Sequence, residues 1–211
     1  MAASRSSSSP LYISRIEYLD AEHIAVEKHE WIDGRVIELR GGTYRTSRIA
    51  ANLIGGIGNE LDGGPCFVLE SNMRLWMKEA NRYTYPDVQI VCGEPEFDPL
   101  DRRQTTIMNP VVVIEVLSDS TESNDRGPKF QGYIAMPTVQ VYVLVSTRKP
   151  RVEWYVRQPG RPWLFNYAAG LDGTFAVADP AVTLPLAEIY TGITDFDPPP
   201  DPNAPRNEEP L

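Results

Sequence analysis

The chain predicts an α/β (α+β) domain: a mixed β-sheet flanked by helices. Three observations carry that expectation. Two apolar runs rich in β-branched residues, at 88–92 and 111–117, have the character of strands buried on both faces. Residues 47–61 repeat apolar positions at helical spacing. Asp33-Gly34 separates two short strand-like segments, a strong hairpin signal.

Taken in order, residues 16–26 read as a short helix, and 30–32 with 36–39 form the hairpin around Asp33-Gly34. In the helix at 47–61, Ile49, Leu53, Ile54, Ile57 and Leu61 share a face, Ser47 serves as cap, and Gly63-Gly64 ends it. Gly55, Gly56 and Gly58 lower its propensity but permit close packing against another backbone. Strands follow at 67–70, 74–77, 88–92 and 111–117. The polar, proline-containing stretch 93–109 reads as a long loop, of a length that is often functional or mobile. A helix is expected over 125–135, with Asp125 as cap and Pro128 tolerated in the first turn. Residues 139–145 make a core strand, 151–157 and 163–167 an antiparallel pair, and 184–190 a final short element.

At 211 residues, 42% hydrophobic and 23% charged, the composition is that of one globular domain with a core of its own. By composition it divides into a Ser-rich N-terminal tail at 1–12, the domain at 13–194, and an acidic, Pro-rich tail at 195–211, both tails reading as disordered. No apolar run approaches the ~18 residues of a membrane span, and the N-terminus lacks the apolar stretch of a secretory signal. A cytoplasmic protein follows, with Cys66 and Cys92 reading as reduced core residues and a disulfide as the lesser alternative. The net charge of −9, of which residues 195–211 supply −4, excludes a generally basic surface. Any contact with nucleic acid has to come from a local patch such as Arg102-Arg103 or Arg45 with Arg48.

The chemistry lies in two acids. Asp87 immediately precedes the run Val88-Gln89-Ile90-Val91, and Glu115 sits within Val111-Val112-Val113-Ile114-Glu115-Val116-Leu117. A carboxylate in such a setting is expensive unless compensated, and a hard divalent cation, Mg2+ or Mn2+, is a common compensator. Lys129 lies where a helix following the Glu115 strand returns to that strand's end; Asp125, Lys129 and Tyr133 are spaced by four along one helical face. Acid, acid and lysine around one metal ion can hydrolyse a phosphodiester. The plainer reading makes the acids strand-end salt-bridge partners, and Asp125 with Lys129 a surface ion pair.

The stretches Tyr85-Pro86-Asp87-Val88, Asn109-Pro110 through Ser118, and Asp125-Arg126-Gly127-Pro128-Lys129-Phe130 to Tyr133 resemble the Uma-type (DUF820-like) restriction endonuclease family of the PD-(D/E)xK nuclease superfamily. The similarity extends from Glu30-Trp31-Ile32-Asp33-Gly34 through Ser47-Arg48-Ile49 to Leu184-Pro185-Leu186 and Tyr190. It implies a restriction-endonuclease-like core, with Asp87 and Glu115 as metal ligands and the Val116 carbonyl as a third oxygen. It also implies Glu30 as a further ligand or general base, against a hairpin-edge salt bridge as the alternative. Two positions depart from the pattern. Leu117 stands where the superfamily has lysine, which makes Lys129 the replacement, and Arg45-Thr46-Ser47-Arg48 lacks a histidine usual before the following helix. His23 and His29 read as surface residues, and no zinc motif exists.

The function expected is therefore a magnesium-dependent endonuclease acting on DNA, as a homodimer for which the aromatic hairpin of residues 151–167 is a candidate contact, the alternative being that its aromatics simply cover the end of the core. The alternatives are an inactive nuclease-fold module that binds nucleic acid or protein, and a metal-dependent hydrolase of another phosphate ester.

Overall fold

The computed structural model describes residues 12–197; the expectations for the tails at 1–11 and 198–211 lie outside the described residues. Helix α1 (Arg15–Glu22) opens with a capping box in which Ser14 and Glu17 each accept the other's backbone N–H. Strands β1 (His29–Ile32) and β2 (Arg35–Glu38) pair antiparallel through Asp33 and Gly34, both at positive φ, the tight turn their sequence favours. Helix α2 (Tyr44–Glu60) starts a turn earlier than expected, because Thr43 rather than Ser47 accepts from Thr46 N–H. That first turn is polar, so apolar periodicity could not announce it. Of the three helical glycines, Gly56 marks the close approach: a Cβ there would lie 2.9 Å from Leu184 Cδ2.

Next come β3 (Cys66–Glu70), β4 (Arg74–Met77), β5 (Arg82–Thr84), β6 (Val88–Cys92), β7 (Thr106–Ile107) and β8 (Val112–Leu117). Helices α3 (Glu122–Arg126) and α4 (Pro128–Ala135) precede β9 (Val141–Ser146), β10 (Arg151–Gln158) and β11 (Arg161–Ala169). The hairpin β12 (Thr174–Ala178) and β13 (Ala181–Pro185) leads into α5 (Leu186–Ile189). The main sheet runs β11-β10-β9-β8-β6-β3, antiparallel except for β8 and β9, whose parallel pairing needs the α3–α4 crossover. A second sheet runs β2-β1-β5-β4-β7.

Alternation along β8 divides the core in two. Val112, Ile114 and Val116 pack with Ile49, Leu53 and Ile57 of α2 and with the β12–β13 hairpin. Val113 and Leu117 pack on the other face with Tyr133, Tyr142, Leu144, Leu75 and Met77. Glu115 belongs by parity to this second face. A third cluster, Tyr18, Leu19, Trp31, Trp76 and Tyr83, ties α1 to the smaller sheet.

Several expectations are corrected. The helix over 125–135 is two helices broken at Gly127, since Pro128 lacks an N–H and pushes its predecessor out of helical geometry. Asp125 is consequently a buried residue inside α3, not a cap. The 93–109 loop carries β7 and is anchored: Asp98 accepts from Arg15 and Tyr83, and Asp101 from Arg74, Thr105 and Thr106. Cys66 and Cys92 are directly opposed in the β3–β6 register, and that pairing brings them together as a disulfide instead of two thiols. His29 is half-buried and paired with Glu22 at 2.9 Å, and His23 Nε2 is buried with no hydrogen-bond partner among the described residues, so neither is a simple surface residue. Residues 195–197, assigned to the tail by composition, are held in place: Asp195 pairs with Arg45, Phe196 packs on Tyr190, and Asp197 N–H donates to the Arg148 carbonyl. Among the described residues no helix is long and apolar enough to cross a membrane.

Candidate active site

The β6–β8 register, Val88 opposite Ile114, extends one step to set Asp87 opposite Glu115 on the face that α4 covers. One step further sets Pro86 opposite Val116. Proline has no N–H to offer the ladder, and Val116 N–H donates to Asp87 Oδ2 instead, at 2.7 Å. The Pro-Asp dipeptide thus ends the pairing and turns a carboxylate onto the freed edge.

The α3–α4 crossover lays Lys129 over these strands, fully in the interior at 6% exposure. Its Nζ lies 3.0 Å from Glu115 Oε1, 3.3 Å from Asp125 Oδ1 and 3.5 Å from Glu30 Oε1. Tyr133, one turn along α4, donates its hydroxyl to the same Glu115 oxygen at 2.5 Å. Glu30 arrives from β1 of the other sheet, where Arg82 and Thr84 of β5 donate to its two oxygens. The ion pair of Asp125 with Lys129 is therefore neither exposed nor isolated; the helix break at Gly127 lets both reach inward.

Four carboxyls (Glu30, Asp87, Glu115, Asp125) meet two cations (Arg82, Lys129) in this space. Burial pushes the Glu115 carboxyl up to about 8; Asp125 and Asp87 push the same way, against the opposing pull of Lys129 and the Tyr133 hydrogen bond. Asp87 is likewise raised, mainly by burial, against Val116 N–H and Lys129. Burial also acts on Glu30, but Lys129, Arg82 and Thr84 outweigh it and hold the carboxylate below its usual range. Burial opposes the Lys129 charge, yet Glu115, Glu30 and Asp125 more than compensate, so its ammonium is held firmly protonated.

Among the described residues no three His, Cys, Asp or Glu side chains form a ready-made metal cage. Asp87 and Glu115 are the pair able to hold a divalent ion, each with one oxygen to which no protein donor is assigned. Hard oxygen donors, an excess of acid and two carboxyls raised by burial fit a divalent cation of the magnesium type. All four residues selected from sequence, Asp87, Glu115, Lys129 and Glu30, converge, with the Val116 backbone beside them. Arg82 and Thr84 were missed because β5 is three residues long, too short for a periodic signal. Of the two basic patches, Arg45 and Arg48 are engaged by Asp195, Asp197 and the Thr191 carbonyl, whereas Arg102 and Arg103 are exposed on the 93–109 loop.

A mixed sheet with a crossover helix, carrying acids on two adjacent strands, defines a restriction-endonuclease-like α+β protein. The chain belongs to the Uma2 family, described as "Putative restriction endonuclease", whose model matches residues 16–172. It is similar to two proteins of Synechocystis sp. (strain ATCC 27184 / PCC 6803 / Kazusa). The uncharacterized protein slr1290 is 38% identical over 159 residues, covering 74% of this chain and 81% of the relative. The uncharacterized protein sll1609 is 35% identical over 158 residues, 75% of this chain and 88% of the relative. The crystal structure of "a putative nuclease belonging to DUF820" from Anabaena variabilis ATCC 29413 superposes with a TM-score of 0.63 at 15% identity. That comparison covers 82% of this chain and 96% of the other, and shows a shared fold.

Proposed function

We propose that this protein is a divalent-metal-dependent endonuclease that hydrolyses DNA phosphodiester bonds. The observation that carries the reading is the convergence of Asp87, Glu115 and Lys129, with a surplus of buried acid, in a chain of this family. Asp87, Glu115 and the Val116 carbonyl would hold Mg2+ or Mn2+, which when bound polarises a phosphate oxygen and acidifies a water. Lys129 places a fixed positive charge beside Glu115, suited to the charge that develops on the phosphate. Tyr133 orients Glu115 by its hydrogen bond, and Arg82 with Thr84 orients Glu30, an ionised carboxylate that shares Lys129 and would stand as a base for the water proton.

Supercoiled plasmid incubated with Mg2+ or Mn2+ is expected to be nicked or linearised by the native protein and spared by Glu115→Ala and Lys129→Ala. Cleavage that survives in Glu115→Ala removes these residues from the mechanism.

One observation favours a second reading, an inactive nuclease-fold module that binds nucleic acid or protein. Three carboxyl groups already surround the Lys129 ammonium, and Leu117 occupies the usual lysine position. Calorimetric titration separates the two: the nuclease takes up Mn2+, whereas a protein with no heat of binding at millimolar metal is the inactive module.

A further inference from the structure

Strand β11 ends the main sheet, and one of its faces is lined with aromatic rings. Alternation places Trp163, Phe165 and Tyr167 together, and the register sets Tyr155 opposite Phe165 and Glu153 opposite Tyr167. Ring centroids are 4.7 Å apart for Phe130–Tyr155, 5.2 Å for Tyr155–Phe165 and 6.2 Å for Phe165–Tyr167. The row starts on α4, beside Lys129, and runs out to the sheet edge, where Phe165 is 46% and Tyr167 59% exposed.

Arginines accompany the rings. Arg151 lies over Tyr167 and Arg157 over Trp163, each 4.5 Å from the ring centroid. Arg157 donates to the carbonyls of Val139, Ile134 and Met136 and, among the described residues, to no carboxylate. Residues 151–169 hold three arginines (Arg151, Arg157, Arg161) and one acid (Glu153), a local +2 in a chain of −9. The face is also the one that bears Glu115: a cross-strand row links Glu115 to Leu144, Glu153 and Tyr167. Three strand spacings put Tyr167 about 14 Å from Glu115 across the sheet.

We propose that this face of β10–β11 is a stacking platform for unpaired DNA bases, seating a single-stranded or frayed segment that flanks the Asp87–Glu115 site. It rests on the reading of the protein as a nuclease of DNA. Half-exposed rings in a segment of local positive charge match flat bases on an anionic backbone. Duplex DNA keeps its base faces inside the stack and offers them nothing. A two-fold symmetric copy of the chain would bring this +2 surface against itself, where like charges repel.

The test is fluorescence anisotropy in EDTA, with labelled dT12 and a blunt 12-base-pair duplex as probes, at several salt concentrations. The native protein is expected to prefer dT12, and Phe165→Ala/Tyr167→Ala to weaken dT12 binding by about 5- to 150-fold, the range of losing one base stack. Both rings are half exposed, and Tyr167→Ser alone, checked by circular dichroism, guards against misfolding. Equal binding of the two probes, or an unchanged double variant, overturns the platform. So does light scattering that shows a native dimer dissociated by the double substitution without loss of dT12 binding, since a second copy then covers the face. The underlying reading fails separately: dT12 preference without plasmid cleavage leaves a platform but no nuclease, and cleavage with an indifferent double variant leaves a nuclease without this platform.

Discussion

Lys129→Met removes an ammonium that lies 3.0, 3.3 and 3.5 Å from three carboxylates in the protein interior. Deleting one partner of a buried ion pair costs about 3–5 kcal/mol, because the remaining charge is left uncompensated. Methionine keeps the unbranched reach and returns about 1 kcal/mol through apolar burial, so the net loss is ~3 kcal/mol. With a urea dependence of about 2 kcal/mol per molar, the unfolding midpoint falls by ~1.5 M. Equilibrium unfolding in EDTA at pH 8, followed by tryptophan fluorescence, reads this directly.

A pH arm checks the cause of that loss. In the native protein Glu30 is held below its usual range, Lys129 being the foremost of the groups that overcome its burial. Without Lys129, the Glu30 carboxyl loses the foremost group that holds it down, and Glu115 and Asp87, already raised by burial, are pushed further up. The variant is then penalised as pH climbs and relieved as pH falls, so its deficit against the native protein narrows between pH 8 and pH 5. A midpoint shift below about 0.3 M would refute the argument, as would a deficit that widens on acidification, because the acids would then not depend on Lys129 for their charge.

Other expectations follow from single sites. Cys66→Ser opens a bridge spanning 26 residues and should cost about 3 kcal/mol of unfolding free energy, a loss that reductant reproduces in the native protein. Gly127→Ala drives a Cβ to 2.8 Å from the Ser123 carbonyl oxygen, so urea titration should show about 1–3 kcal/mol of destabilisation and metal affinity should fall with it. Asp101 is buried, yet hydrogen bonds from Thr106, Thr105 and Arg103 N–H, with the Arg74 charge, hold its carboxylate below the usual range. Its contribution is present above the ordinary carboxylate pKa and lost as pH falls through the depressed value. Asp101→Asn should therefore cost about 2 kcal/mol at pH 7 and little at pH 2, by thermal unfolding. Mn2+ at ten times its dissociation constant should stabilise the native protein by about 1.4 kcal/mol and leave Glu115→Gln unchanged in a thermal-shift measurement.

Much of the candidate site could be read from the chain because its parts are local signals. Pro86-Asp87 before an apolar run and Glu115 inside one are conspicuous where polar residues are costly. Lys129 stood out as the lysine on the helix directly after that strand. The failures were of two kinds. Thr43 and the three-residue β5 gave no periodicity to detect, and β5 supplies Arg82 and Thr84. The others concern long-range pairing: composition suggested thiols at 66 and 92, but cross-strand register made them neighbours.

The sequence by itself determined most of the core strands and helices, the family and the candidate residues for chemistry, because strand runs, helical spacing and turn residues act over a few positions. Tertiary structure alone decided their relations. The extended β6–β8 register set Asp87 against Glu115, the break at Gly127 turned Asp125 and Lys129 inward together, and packing of the two sheets brought Glu30 to the same ammonium. Burial then separated the acids, raising Glu115 and Asp87 while Glu30 stayed ionised. A carboxylate's charge depends on its surroundings, and no stretch of contiguous residues contains those surroundings.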